Sequence, residues 1–450
     1  MLLTSSLLAQ QRTVDVSGTM ERAVLSELDK TNTPGAAVAV ILGDRVVFAK
    51  GFGVSSIETG NSVTPEMLFQ IGSMTKMFTA TALVTLAEEG KIKFDEPIGT
   101  YVTGLNPKLA QVTVHQLLSH TAGLKDEPDE YGLHDESALS AYVRSWKDDY
   151  GLLPPGKVFS YSNSGLALAG FVMEAVGGKP YADQMNERLF VPLGMSRTTF
   201  RPTMAMTYPL AVGHRARGQE KPAVVRPMAD DARLWPAGEM FSNVNDLARF
   251  AIAFMNGGSL EGKPVLPPAV ITKLSTPYAD IPATGEKYGY GFLIGTYRGV
   301  RWVGHEGTMP GFSGLLRIVP EHRCAVIALA NRETRLDAIA HAAFDLVLPV
   351  SAPAEAKLPK ALPMTEAEMA GYVGTYSNPN RWTIQIVKAD GKLVMKQFGL
   401  DLPITRIGPA RFSVTFPGAS QAQEFVLGLG TDGKPEYLQM FMWAFKRNSS

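Results

Sequence analysis

The sequence predicts an α+β fold, an antiparallel sheet flanked by helices, followed by a small all-β module. Three observations carry this. Strand-like runs with turn chemistry occur near the start and again from Tyr288, and helical periodicity fills the stretch between them. A Pro- and Ala-rich run after residue 350 then separates both from a final series of short hairpins.

In chain order, Met1 to Gln10 carries the apolar stretch of a secretory leader without its basic start. Residues 1–24 read either as a segment holding a signal-peptide remnant, which favours a periplasmic or secreted location over the cytoplasm, or as a frayed terminus. Gly35 to Leu42 and Arg45 to Gly53 flank Gly43-Asp44, a hairpin pattern. Helices are expected after Ser73, around Val114 to Ser119, and over Gly165 to Val176, Ala182 to Phe190 and Val244 to Met255. Tyr288 to Phe292, Arg301 to Val303, Gly314 to Val319 and Cys324 to Ala330 return to strand-like patterns, so one sheet can join both ends of a domain spanning 25–350. Residues 351–363 suit a stiff linker. Within 364–450, Trp382 to Ile386 with Lys392 to Met395, and Phe425 to Leu427 with Tyr437 to Met440, read as hairpins of a sandwich or barrel.

Composition narrows the function classes. A chain of 450 residues exceeds what one core usually organises, and 45% apolar with 19% charged residues is ordinary for a globular protein. Lys plus Arg and Asp plus Glu each number 43, so no net field draws in phosphate backbones and no nucleic-acid partner is expected. No stretch reaches the roughly 18 continuous apolar residues of a spanning helix, so no membrane-spanning segment is expected. The single cysteine, Cys324, rules out an internal disulfide and reads as a core residue. His115 and His120 lack an H-E-x-x-H pattern and a third ligand, so neither a metal nor another cofactor is expected.

The segment Phe69 to Phe78 holds Ser73-Met74-Thr75-Lys76, followed by Met77, Ala80, Val84 and Ala87 at helical spacing and closed by Gly90. Residues three apart share a helix face, so the Lys76 amine can approach the Ser73 hydroxyl. A serine hydroxyl is a poor nucleophile until a base takes its proton, and burial together with the positive helix end disfavours the ammonium form of the lysine. Free N–H groups at that helix end can bind the oxyanion formed on attack. The alternative for this short pattern is a serine cap followed by a solvated lysine. Tyr161-Ser162-Asn163, ahead of another apolar helix, and Gly304-His305-Glu306-Gly307-Thr308, between strand-like stretches, can bring a phenol, an amide and an imidazole to the same cleft. For His305 a structural role at a strand end is the alternative.

In this order and spacing, S-x-x-K, Y-x-N and H-x-G resemble the penicillin-recognising serine hydrolases over roughly residues 25 to 345. The branch that looks nearest holds class C β-lactamases, D,D-carboxypeptidases, D-aminopeptidases and β-lactamase-like carboxylesterases. Val114 to Leu124, Pro155-Gly156, Pro192 to Met195 and Pro236-Ala237-Gly238 add to the likeness. The resemblance implies catalysis by Ser73, Lys76 and Tyr161 through an acyl-enzyme, with Asn163, His305, Gly307 and Thr308 lining the substrate site and the Ser73 and Thr308 amides forming the oxyanion hole. His305 stands where class C β-lactamases carry a lysine, which removes a permanent cation and favours a peptidase of small or D-residue peptides over a β-lactamase. A short-chain carboxylesterase is the neighbouring reading, and a silent cell-wall peptide-binding module is the rival from another class. No G-x-S-x-G elbow occurs. Gly371 to Tyr376 and the stretch around Trp443 resemble the lipocalin-like barrel often appended to such hydrolases, a module that could cover the cleft or mediate assembly into a homo-oligomer. A second Tyr-Ser-Asn at Tyr376-Ser377-Asn378 is expected to be a turn without catalytic duty.

Overall fold

The computed structural model describes residues 16–126, 131–147, 150–353, 360–379, 381–419 and 421–448. Residues 1–15, which hold the leader-like stretch, and 354–359 of the expected linker lie outside the described residues.

The apolar runs from the two ends of the first region pair into one antiparallel sheet. Its strands are β1 (Gly35–Leu42), β2 (Arg45–Gly53), β3 (Ala279–Ile281), β4 (Glu286–Tyr288), β5 (Leu293–Tyr297), β6 (Val300–Met309), β7 (Phe312–Val319) and β8 (Cys324–Ala330), in the order β2-β1-β8-β7-β6-β5-β4-β3. Every residue of β8 is buried, because both faces of this central strand are covered. Ala325, Ile327 and Leu329 enter the larger core with the central helices, while Cys324, Val326 and Ala328 face a second core beneath helices α1 (Val16–Thr31) and α5 (Asp337–Val347). Burial pushes the Cys324 thiol up to about 12, consistent with an inert core residue. Met20 and Val24 are buried in that second core, so the packed fold begins within the 1–24 segment rather than after it.

Three helices between the strand sets build the inner core. In α2 (Thr75–Glu88) nearly every side chain is buried, as expected of a helix apolar all round. The helix is preceded by a 3-10 turn, Gly72–Met74, so Ser73 sits on that turn and α2 proper starts two residues later. Helix α3 (Asn163–Gly177) is capped by the Ser162 hydroxyl, which accepts the Gly165 N–H at 3.0 Å, and Gly178 ends it at φ 66°. Asn243 caps α4 (Val244–Met255) through two N–H bonds of 2.9 Å. The helix expected over Ala182 to Phe190 is instead α-helical only over Tyr181–Met185 and π-helical over Asn186–Phe190.

The C-terminal region forms a nine-stranded antiparallel sheet. Its first strand, Gly374–Ser377, pairs with its last, Trp443–Arg447, and the two edge strands, Leu400–Pro403 and Thr405–Gly408, are consecutive in the chain. The sheet therefore curls into a nearly closed barrel filled by Ile386, Met395, Phe412, Phe425 and Phe445 among others. Tyr376-Ser377 of the second Tyr-Ser-Asn ends a barrel strand rather than forming a turn, with Tyr376 fully buried.

Candidate active site

Two glycines let the Ser73 turn lie directly against β6. Gly72 has φ 56°, and a Cβ there would stand 2.5 Å from Thr308 N. A Cβ on Gly307 would stand 1.9 Å from Ile71 O and 2.8 Å from Ser73 N. Only backbone can occupy this space, so the Ile71–Ser73 backbone packs directly against that of Gly307 and Thr308. The H-x-G motif is thus part of β6 itself rather than a connection between strands.

The chemistry gathers around Lys76, which is fully buried. Its Nζ lies 2.9 Å from Ser73 Oγ, 2.7 Å from Asn163 Oδ1 and 2.6 Å from Ala237 O. The last two oxygens only accept. A neutral amine offers two N–H donors and one lone pair, so donation to Asn163 and Ala237 turns the lone pair toward the Ser73 hydroxyl. Burial is the main cause that lowers the Lys76 pKa to about 7, with Arg381 acting in the same direction and Asp126 opposing it. Tyr161 completes the group, with its ring centre 4.7 Å from Lys76 Nζ. Burial holds this phenol above the ordinary tyrosine range, outweighing the opposing effect of Ser73, so it is a proton-bearing group.

Behind Tyr161 runs a chain of buried hydrogen bonds whose proton positions follow from its fixed ends. The Ser162 N–H donates to His120 Nδ1 at 3.1 Å, so His120 carries its proton on Nε2 and donates to Tyr288 Oη at 3.2 Å. Tyr288 in turn donates to His305 Nε2 at 3.0 Å, and His305 Nδ1 donates to the Glu306 carbonyl. Burial keeps both imidazoles neutral, with the His305 pKa lowered to about 3 and that of His120 well below its usual value. The His120 ring also packs on Tyr161 with centroids 4.3 Å apart.

The structure therefore brings Ser73, Lys76, Tyr161, Asn163, Gly307 and Thr308 together, and it places His305 behind them with both ring nitrogens engaged inside the protein. Sequence reasoning gave no role to His120 and Tyr288, nor to Asp126, whose Oδ1 accepts the Asn163 N–H at 2.7 Å. Ala237 was visible only as part of Pro236-Ala237-Gly238, since a carbonyl acceptor leaves no mark in side-chain chemistry. Among the described residues no cluster of three or more His, Cys, Asp or Glu is placed to hold a metal, and no helix is long and apolar enough to cross a membrane.

The Beta-lactamase family model matches residues 20–348. The chain belongs to this family. Penicillin-binding protein 4 of Amycolatopsis lactamdurans is 30% identical over 314 residues, 67% of this chain and 81% of that protein. The crystal structure of SurE superposes with a TM-score of 0.79 at 27% identity, covering 96% of this chain and 99% of that one. SurE has also been crystallised with D-Leu. The octameric penicillin-binding protein homologue from Pyrococcus abyssi gives a TM-score of 0.67 at 25% identity over 95% and 99% of the two chains. Like other members of the family, the protein is a serine hydrolase.

Proposed function

We propose that the protein cleaves amide bonds of peptides bearing small or D-residues through an acyl-serine on Ser73. The observation that carries this reading is the buried Lys76 amine, 2.9 Å from Ser73 Oγ and held by two acceptor-only oxygens, which in its neutral form leaves its lone pair for the Ser73 hydroxyl. Lys76 takes the Ser73 proton as Ser73 Oγ bonds the substrate carbonyl carbon, and the Ser73 and Thr308 amides bind the resulting oxyanion. Tyr161 gives its proton to the departing nitrogen and recovers one from the Lys76 ammonium. Water then repeats the sequence on the ester, releasing the acid and restoring Ser73.

The peptide preference draws support from SurE, crystallised with D-Leu. His305 is a positioning residue in this reading, holding β6 and Tyr288 instead of gripping substrate. Homo-oligomerisation, a boundary at 351–363 and a lipocalin-like character of the barrel belong to the same proposal, the first supported by the octameric homologue.

Intact-protein mass spectrometry with a fluorophosphonate, beside a panel of D-amino-acid anilides, p-nitrophenyl esters and a chromogenic cephalosporin, tests the proposal. One adduct at Ser73 and Ser73-dependent anilide turnover are expected. Labelling that persists in Ser73→Ala would refute the mechanism, and turnover of esters alone would refute the peptide preference.

A further inference from the structure

The barrel reaches the catalytic cluster by side chain and by backbone. Arg381 Nη2, on the barrel, pairs with Asp126 Oδ2, while Asp126 Oδ1 holds the backbone N–H of Asn163 at 2.7 Å. Asn163 therefore bridges two contacts, its N–H on Asp126 and its Oδ1 on Lys76. Separately, the barrel hairpin tip places the Met442 carbonyl 2.8 Å from the Tyr161 N–H, and Ala444 N donates to Ser160 Oγ at 3.2 Å.

Asp126 is fully buried and Arg381 retains only 17% side-chain exposure, so removing either leaves the other charge poorly compensated. The guanidinium is further held over the Trp443 ring, 4.4 Å from its centre. Asp126 also takes up an N–H that the first turn of α3 leaves without a helical acceptor, so it fixes where that helix starts and hence where the Asn163 side chain points.

We propose that Arg381 is a positioning residue for the Ser73–Lys76 pair, acting through Asp126 and Asn163, so that the barrel completes the active site of the same chain. This rests on the acyl-serine reading above. The titratable and charged groups facing Lys76 are Tyr161, His120, His305, Asp126 and Arg381. Burial keeps the two imidazoles and the phenol neutral, which leaves Asp126 and Arg381 as the charged pair. Asp126 favours the Lys76 ammonium and Arg381 disfavours it, so the two act on the same proton with opposite sign.

The experiment measures the rate of Ser73 phosphonylation by a fluorophosphonate against pH in the full-length protein and in Arg381→Gln, Arg381→Lys and Asp126→Asn. The acid limb is expected to move up by about one pH unit in Arg381→Gln, to return at least halfway in Arg381→Lys, and to move down in Asp126→Asn. A purely structural role lowers the plateau and leaves the limb in place. Wild-type protein labelled at Ser73, with Arg381→Gln sharing its limb, overturns the role of Arg381 alone. Absence of any Ser73 label in the wild type overturns the acyl-serine reading and this inference with it. Should Arg381→Gln not fold, Asp126→Asn decides, because it preserves the side-chain oxygen that binds Asn163 N–H, and an unmoved limb there overturns the proposal.

Discussion

Lowering the pH from 7 to 5 should slow the modification of Ser73 about fifty-fold, and raising it from 7 to 9 should speed it only about twofold. Both follow from Lys76, whose pKa burial lowers to about 7. The amine must be neutral to take the Ser73 proton, so activity is lost as the pH falls through that value and is gained as it rises. At pH 7 about half of the molecules carry a neutral amine, at pH 5 about one in a hundred, and at pH 9 nearly all. An unperturbed lysine would be neutral in only about one molecule in 3,000 at pH 7, so the buried setting is worth about a thousandfold in active fraction. Replacing Lys76 by Arg keeps a charged group that cannot serve as base and should cost at least about a thousandfold. The assay is the pseudo-first-order rate of fluorophosphonate labelling by intact mass between pH 5 and 9, where the reagent itself needs no proton from the enzyme to react. A limb centred near pH 10, or Lys76→Arg labelling at a comparable rate, would refute the reasoning.

Tyr161→Phe should reduce anilide turnover by about 10²- to 10⁴-fold and affect p-nitrophenyl esters far less, because p-nitrophenolate leaves without a proton; equal losses would rule out the leaving-group role. Gly307→Ala puts a Cβ 1.9 Å from Ile71 O and 2.8 Å from Ser73 N. Pushing the two strands of backbone apart should cost about 2 kcal/mol in urea unfolding and about a hundredfold in Ser73 labelling, and a variant that labels normally would show that the contact does not set the oxyanion site. Tyr288→Phe deprives His120 Nε2 and His305 Nε2 of their shared partner. Unfolding free energy should fall by about 2 kcal/mol or more, and a change below about 0.5 kcal/mol would mean that the buried chain of bonds is not needed.

What the sequence by itself determined is the part governed by short range. Helical geometry makes residues three apart neighbours, so Ser73 and Lys76 could be paired before any fold was known, and Lys76 Nζ lies 2.9 Å from Ser73 Oγ. Alternating and continuous apolar runs likewise marked β1, β7 and β8 and the extent of α4. The 3-10 turn under Ser73 and the π-helical turn at Asn186–Phe190 escaped, because apolar periodicity does not distinguish them from the first and last turns of an α-helix. Tertiary structure alone decided how the site works. Whether Lys76 is neutral depends on complete burial and on the acceptors Asn163 and Ala237, which lie 87 and 161 positions away. Whether His305 meets substrate or supports the wall depends on Tyr288 and His120, and the Asp126–Arg381 pair joins two loops 255 positions apart, one in the first region and one on the barrel. Burial and charge pairing are properties of what packs around a side chain, and no local pattern in a chain records which distant segment will do so.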